Sequence, residues 1–285
     1  MILPLAVFGL LGACNAPGAG TAGGAGLTSS EIARTSALEE ILTRGTLRVG
    51  LEAGYVPFEM IDRKGELIGF DVALAHLMAE KLGVKLELVN TNWDGIIPSL
   101  NTGKFDIIMS GMTRTLERAR AVNFSNPYFI TGQTLLLSRS RADGVQAYRE
   151  LDAKVRVIAV KLGTTGDFAA SRLLSQAEIR RFKTEAEAAL EVSSGRADAM
   201  VYDSPYVAIY ARRDPERVRA ILTPFTTENL AFAIRKGDPD FLSWLNLFLE
   251  EIRHDDPVES SYDKLQRTYF VDMPWLAEVG EDALK

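Results

Sequence analysis

The feature that most narrows the fold is a strand–helix–strand alternation that runs to about Met109 and starts again past Arg149. In the first run TLRVGL alternates Leu47, Val49 and Leu51, a strand pattern. Phe70, Leu74, Leu77, Met78 and Leu82 then recur at helical spacing, with Gly83 placed to end the helix. VKLELV reads as a second strand, DGIIPSLNTG as a short helix with Asp94 as candidate cap, and FDIIM as a third strand. A strand that returns through a helix runs parallel to its predecessor, so the run predicts an α/β sheet with parallel strands.

The second run has the same grammar. VRVIAV and DAMVY read as strands, DFAASRLL and AEAALEVSSG as helices. Between the runs lies PYFITGQTLLL, and the chain returns through TTENLAFAI. Two α/β lobes joined by two extended crossings follow. Ser36 is placed to cap a helix carrying Leu38, Ile41 and Leu42, and Asp238-Pro239 to start one carrying Phe241, Leu245, Phe248 and Ile252. The expected division is lobe 1 over residues 36–130 and 229–273, lobe 2 over 131–228, and a C-terminal tail over 274–285.

The N-terminus has a different character. Residues 1–13, MILPLAVFGLLGA, are an apolar run too short to span a bilayer. Leu11-Gly12-Ala13-Cys14 resembles a bacterial lipobox, and Cys14 is the sole cysteine. A signal peptide over 1–13 with lipidation at Cys14 is expected, although no Lys or Arg precedes the apolar run. Residues 14–35, rich in Gly, Ala and Ser, then form a tether. The expected location is the periplasm or the outer face of the cytoplasmic membrane, held there by the lipid alone.

Net charge of −6 argues against nucleic-acid binding, which needs a basic face. His76 and His254 are far apart and outside any Cys/His cluster, so a metal site is not expected, and no cofactor is implied. GTTG lacks the spacing of a phosphate-binding or dinucleotide loop.

What remains suits a small zwitterion. A free amino acid buries a carboxylate and an ammonium together, and each needs a charged or hydrogen-bonding partner. A buried strand ends at Ser110-Gly111, and Thr115 is placed to cap a helix whose first turn holds Arg118. A cation there opposes the helix dipole, and an anion would relieve it; a solvated arginine is the competing reading. Lys161 to Thr165 form a short turn aimed at a helix start, suited to an anion or merely a connection. Asp203 follows an apolar strand, where it would either meet an ammonium or cap the next helix. Tyr55 and Trp93 follow strands and would lie either on a ligand or in the core.

In order, GTLRVGLEAGYVPFE, GFDVALAHLMAEKLG, WDGIIPSL, FDIIMSGMTRTLERARAVNFSNPY, VKLGTTGDF and ADAMVYDSP resemble the polar-amino-acid family of bacterial extracellular solute-binding proteins. The resemblance implies a two-lobed periplasmic-binding-protein-like fold of type II, a monomer that closes on a free amino acid and delivers it to an ABC permease. It implies that Arg118 and the Thr113 backbone hold the ligand carboxylate and Asp203 the ammonium. Tyr55, Trp93, Ser110, Gly111, Lys161, Thr164 and Thr165 would line the site. Glu52, Lys161 and Tyr202 would meet the ligand side chain, with glutamine expected first and a cationic amino acid second. Glu52 and Lys161 would equally well pair with each other. Cyclohexadienyl dehydratases share the resemblance, but Tyr206 stands where they place a catalytic carboxylate, with Glu52 remaining as a substitute acid.

Overall fold

The computed structural model describes residues 36–279. The signal segment, Cys14 and the tether lie outside the described residues. Two five-stranded sheets organise the chain. The first contains β1 (Thr46–Leu51), β2 (Lys85–Asn90), β3 (Ile107–Ile108), β4 (Asn123–Phe124) and a late strand, Ala233–Ile234, in the order β2-β1-β3-late strand-β4. Helices α1 (Ala37–Arg44), α2 (Phe70–Leu82) and α3 (Trp93–Asn101) connect or flank these strands.

The crossing to the second sheet is β5 (Phe129–Thr131), followed by β6 (Gln133–Ser138), β7 (Val157–Lys161), α4 (Thr165–Leu173), β8 (Glu178–Phe182), α5 (Glu185–Ser193), β9 (Ala199–Asp203), α6 (Ser204–Arg213) and β10 (Val218–Ile221). The return crossing is β11 (Glu228–Leu230), leading into the late strand, β12, and then α7 (Pro239–Glu251) and α8 (Ser261–Gln266). The second sheet has the order β8-β7-β9-β6-β10.

Parallel strands alone do not account for either sheet. β2, β1 and β3 are parallel, but β12 runs antiparallel to both β3 and β4. Likewise β8, β7 and β9 are parallel, while β6 is antiparallel to β9 and β10. In each sheet the antiparallel strand is the one that has just come through a crossing. It enters from the cleft side, opposite to the strands fed by helices. The crossings β5 and β11 pair with each other, Glu228 opposite Thr131 and Leu230 opposite Phe129, so the lobes meet through a two-stranded ribbon.

Local chemistry sets the helix ends. Ser36 Oγ accepts from Leu38 N at 3.2 Å, and Asp238 caps α7 by accepting from Phe241 N at 3.0 Å. The same Asp238 carboxylate accepts from Ser36 Oγ at 2.9 Å and Ala37 N at 2.6 Å, so one buried side chain fastens two helix starts distant in sequence. Caps of this kind are worth about 1 kcal/mol each. Asp94 does not cap α3; the helix begins a residue earlier, and Glu52 Oε1 of the neighbouring β1 end takes the Trp93 N–H at 3.0 Å. Arg118 lies not in an α-helix but in a 3₁₀ turn, Arg118–Arg120, with Thr115 Oγ1 accepting from its N–H at 3.1 Å. Pro274–Ala277, assigned above to the tail, forms a 3₁₀ turn that buries Trp275 against the core.

The first lobe packs Leu47, Val49, Phe70, Leu74, Met78, Phe241 and Phe248 into one core. The second packs Leu135, Leu137, Ile158, Val160 and Val201. The first core continues across the cleft through aromatic rings: Tyr55 meets Tyr202 at 5.5 Å between centroids, and Tyr202 meets Tyr206 at 5.2 Å.

Candidate functional site

Each sheet delivers its strand ends to one cleft between the lobes, as open parallel sheets do. Glu52, Tyr55, Trp93, Ser110, Gly111, Thr113 and Arg118 come from the first lobe. Lys161, Thr164, Thr165, Tyr202 and Asp203 come from the second. All the residues singled out in the sequence as contacts for an amino acid therefore line a single cleft, which holds about 390 Å³ of space between atoms, part of it open to solvent.

Arg118 reaches the cleft from its 3₁₀ turn. Its Nη1 donates to Thr113 O at 2.9 Å and its Nη2 to Gly163 O of the other lobe at 3.3 Å. The guanidinium carbon sits 5.1 Å from the Trp93 ring centroid, and among the described residues Arg118 forms no ion pair. Burial lowers its pKa, with Glu228 and Asp203 acting in the opposite sense. Trp93 Nε1 donates to the same Gly163 carbonyl at 3.2 Å. Thr113 Oγ1 and Thr165 Oγ1 face each other at 3.5 Å.

Asp203 ends β9 and stands at the head of α6, but its side chain does not cap that helix. Instead it accepts from Tyr55 OH at 2.6 Å and from Gln133 Nε2 at 2.8 Å. Burial pushes its carboxyl up to about 7 despite those two bonds. The cap reading of Asp203 thus fails, and Tyr55 ties it across the cleft to the first lobe.

Gly111 has φ of +51°, and a Cβ there would run into the Tyr55 ring. Glycine is needed on both counts: the left-handed backbone and the closeness of the ring. Ser110 Oγ accepts from Glu52 N at 3.1 Å and donates to Glu59 Oε1 at 2.6 Å. Behind it, Asp71 Oδ2 accepts from Gly111 N at 2.8 Å and Tyr128 OH at 2.7 Å. Glu59 Oε2 and Asp71 Oδ1 are buried without a hydrogen-bond partner. Burial pushes Asp71 up to about 7. Burial and then the Asp71 charge hold Glu59 well above the usual carboxylate range.

At the other end, Lys161 Nζ donates to Glu185 Oε2 at 2.7 Å and to Glu52 Oε2. Burial opposes the ammonium, yet Glu185 and Glu52 together keep its pKa above the ordinary value. Burial also raises the Glu52 carboxyl, and the attraction of Lys161 does not bring it back. Thr164 Oγ1 caps α4 by accepting from Asp167 N at 3.3 Å, which fixes the Lys161–Thr165 turn.

Three residues of the site escaped sequence reasoning. Glu59 and Gln133 line the cleft, and Glu185 supports Lys161 from behind. Gln133 was visible as a polar residue opening the wholly buried strand QTLLLS. Glu185 opens α5 inside the Thr184–Glu187 capping box, where an acidic residue is common on any helix.

Among the described residues no cluster of His, Cys, Asp and Glu could hold a metal ion, and no helix is long and apolar enough to cross a membrane. Tyr206 is buried with its hydroxyl unpartnered and does not line the cleft.

Comparison with known proteins gives a consistent result. The family model for bacterial extracellular solute-binding proteins, family 3, matches residues 47–272. A probable histidine-binding protein of Neisseria gonorrhoeae is 37% identical over 227 residues, covering 78% of this chain and 82% of that protein. A structure of a putative binding component of an ABC transporter from Wolinella succinogenes, complexed with lysine, is 50% identical with a TM-score of 0.77, covering 82% of this chain and 99% of that one. A structure described as the ancestral amino acid-binding protein AncCDT-1, a precursor of cyclohexadienyl dehydratase, is also 50% identical, with a TM-score of 0.76 over 82% and 99% of the two chains.

Proposed function

Since this chain belongs to the bacterial extracellular solute-binding proteins, family 3, we propose that it captures a free amino acid with a cationic side chain and delivers it to an ABC permease. Its architecture is the two-lobed type II periplasmic binding fold shared with the amino-acid-binding structures it matches. Arg118 and the Thr113 region would take the α-carboxylate, and Asp203 the α-ammonium. Each ligand charge then meets an opposite one inside a cleft that excludes much of the water. A ligand gripped from both lobes binds the closed arrangement better and shifts the hinge toward it. Micromolar capture would correspond to about 8 kcal/mol.

The observation that carries the side-chain assignment is a charge count. Glu52 brings one carboxylate to the side-chain end of the cleft and Glu185 lies behind it, and Lys161 neutralises one of the two charges. The surplus negative charge is buried, a costly arrangement that a ligand cation would relieve. Burial is the first cause of the raised Glu52 carboxyl, and a ligand cation beside it would favour its charged form. Glutamine, favoured on sequence grounds alone, becomes the second choice. The lysine in the Wolinella succinogenes complex is in keeping with the order.

Export and lipid attachment at Cys14 complete the proposal. Loss of membrane association on Cys14→Ser would support the anchor, and retention would remove it. The test of capture is a thermal-shift panel of the common amino acids on protein stripped of ligand by unfolding and refolding. Arginine or lysine should raise the midpoint most, and no response to any amino acid would overturn the reading. Incubation with arogenate and prephenate addresses the dehydratase alternative: turnover abolished by Glu52→Gln would replace capture as the function.

A further inference from the structure

Lys161 sits where a ligand cation would be wanted. It ends β7 in the second lobe, is 3% exposed, and spends two of its three N–H bonds on carboxylates from different lobes, Glu52 of the first and Glu185 of the second. Its ammonium also lies 5.7 Å from the centroid of Trp93, the first-lobe aromatic that Arg118 flanks on its own account. First-lobe backbone closes on the acid behind it: a Cβ at Gly54 would run into Glu185 Oε1. Without the lysine, the Glu52 and Glu185 carboxylates would be left without their shared counter-ion where the lobes meet.

We infer that Lys161 is a built-in counter-ion that latches the two lobes through Glu52 and competes with the cationic end of the ligand for Glu52, while Glu185 adds its charge from behind. The competition half rests on the reading of the site given above; the latch half does not. A latch of this kind draws the lobes together before any ligand arrives. It also meters selectivity, because the lysine decides how much negative charge remains for the side chain of the ligand. One acid left over admits a cation without repelling a neutral polar group outright. Two left over would demand a cation, and none would favour a neutral ligand.

Opposite charge changes at the two ends of the same bond separate this from a packing role. Lys161→Met and Glu52→Gln both cut the cross-lobe ion pair, so both should enlarge the radius of gyration of ligand-free protein in small-angle scattering. Their effects on selectivity should oppose: by calorimetry, the arginine-to-glutamine affinity ratio should rise about tenfold in Lys161→Met and fall about tenfold in Glu52→Gln. Lys161→Arg, which keeps the charge, should retain the wild-type radius and the sign of the preference.

An unchanged radius in Glu52→Gln overturns the latch. A ratio that moves the same way in both variants, or that fails to fall in Glu52→Gln, overturns the competition. Should Lys161→Met not fold, as judged by its thermal midpoint, Glu52→Gln alone still decides both points. Wild-type protein that binds neither amino acid would overturn the reading of the site, while the scattering comparison would still judge the latch.

Discussion

In the first lobe the cleft is backed by buried acids and rings: Glu59 and Asp71 lie beneath Ser110 and Gly111, and Tyr55 stacks on Phe58 with centroids 4.6 Å apart. In the second lobe it is backed by capped helix starts, Thr164 on α4 and the Thr184–Glu187 capping box on α5. The sheets behind them have the same strand order. A shared framework is thus finished by two kinds of support. The first lobe holds its half by side-chain packing, with little room to give. The second holds it by backbone turns whose hydrogen bonds are local. Damage to the packed support of the first lobe should therefore cost more folding stability than loss of a local cap in the second.

The largest effect expected is on capture, from Arg118→Ala. Loss of a partly buried guanidinium leaves the ligand carboxylate uncompensated and should weaken affinity about a hundredfold by calorimetry. A change below threefold would mean that the first lobe does not hold the anion. Next comes Gly111→Ala, which forces a Cβ onto Tyr55 in a left-handed backbone and should cost about 2 kcal/mol in urea unfolding. A neutral result would break the contrast between rigid and yielding halves.

Asp203→Asn should weaken capture less, about tenfold, because it also removes a carboxylate that is costly to bury. It should flatten the pH dependence as well. In the folded chain burial raises Asp203 to about 7 from an ordinary 3.8, so the folded state holds the proton more tightly than the unfolded one. The stability this contributes is full below about pH 3.8 and is lost as pH rises through 7. Capture of an ammonium needs the carboxylate and should run the other way, weakening by up to about tenfold per unit as pH falls below 7. Calorimetry in buffers of different ionisation enthalpy would detect the released proton. The smallest effect is Thr164→Ala, about 1 kcal/mol in unfolding for a lost cap. A loss much larger than that of Gly111→Ala would invert the comparison.

Sequence periodicity made the strands and helices readable, since β1, α2 and the caps Ser36 and Asp238 follow from residue spacing and side-chain chemistry. Strand ends in an α/β lobe gather on one side, which made Tyr55, Trp93, Ser110 and Asp203 candidates, while Glu52, Thr113 and Tyr202 came only from the family resemblance. Glu185 and Glu59 were not readable, for a physical reason. Each acts through a partner distant in sequence, Lys161 in one case and Ser110 in the other, and an acid in a helix's first turn or beside a Phe carries no mark of that partner. The Asp94 cap failed likewise: Glu52 occupies the helix start from another element. The mixed sheets were hidden because strand direction depends on where the chain re-enters a lobe, which no local pattern records.

The paired crossings β5 and β11 have a mechanical consequence. Because the two connectors are bonded side by side, neither can bend freely without carrying the other, and shear or twist between the lobes would break Glu228–Thr131 and Leu230–Phe129 pairing. Bending of the ribbon as a unit keeps that pairing and is the motion it opposes least. Whatever differences of chemistry exist among bound molecules are thereby projected onto a single angle, and an observer touching only the outer surfaces could read occupancy from that angle alone.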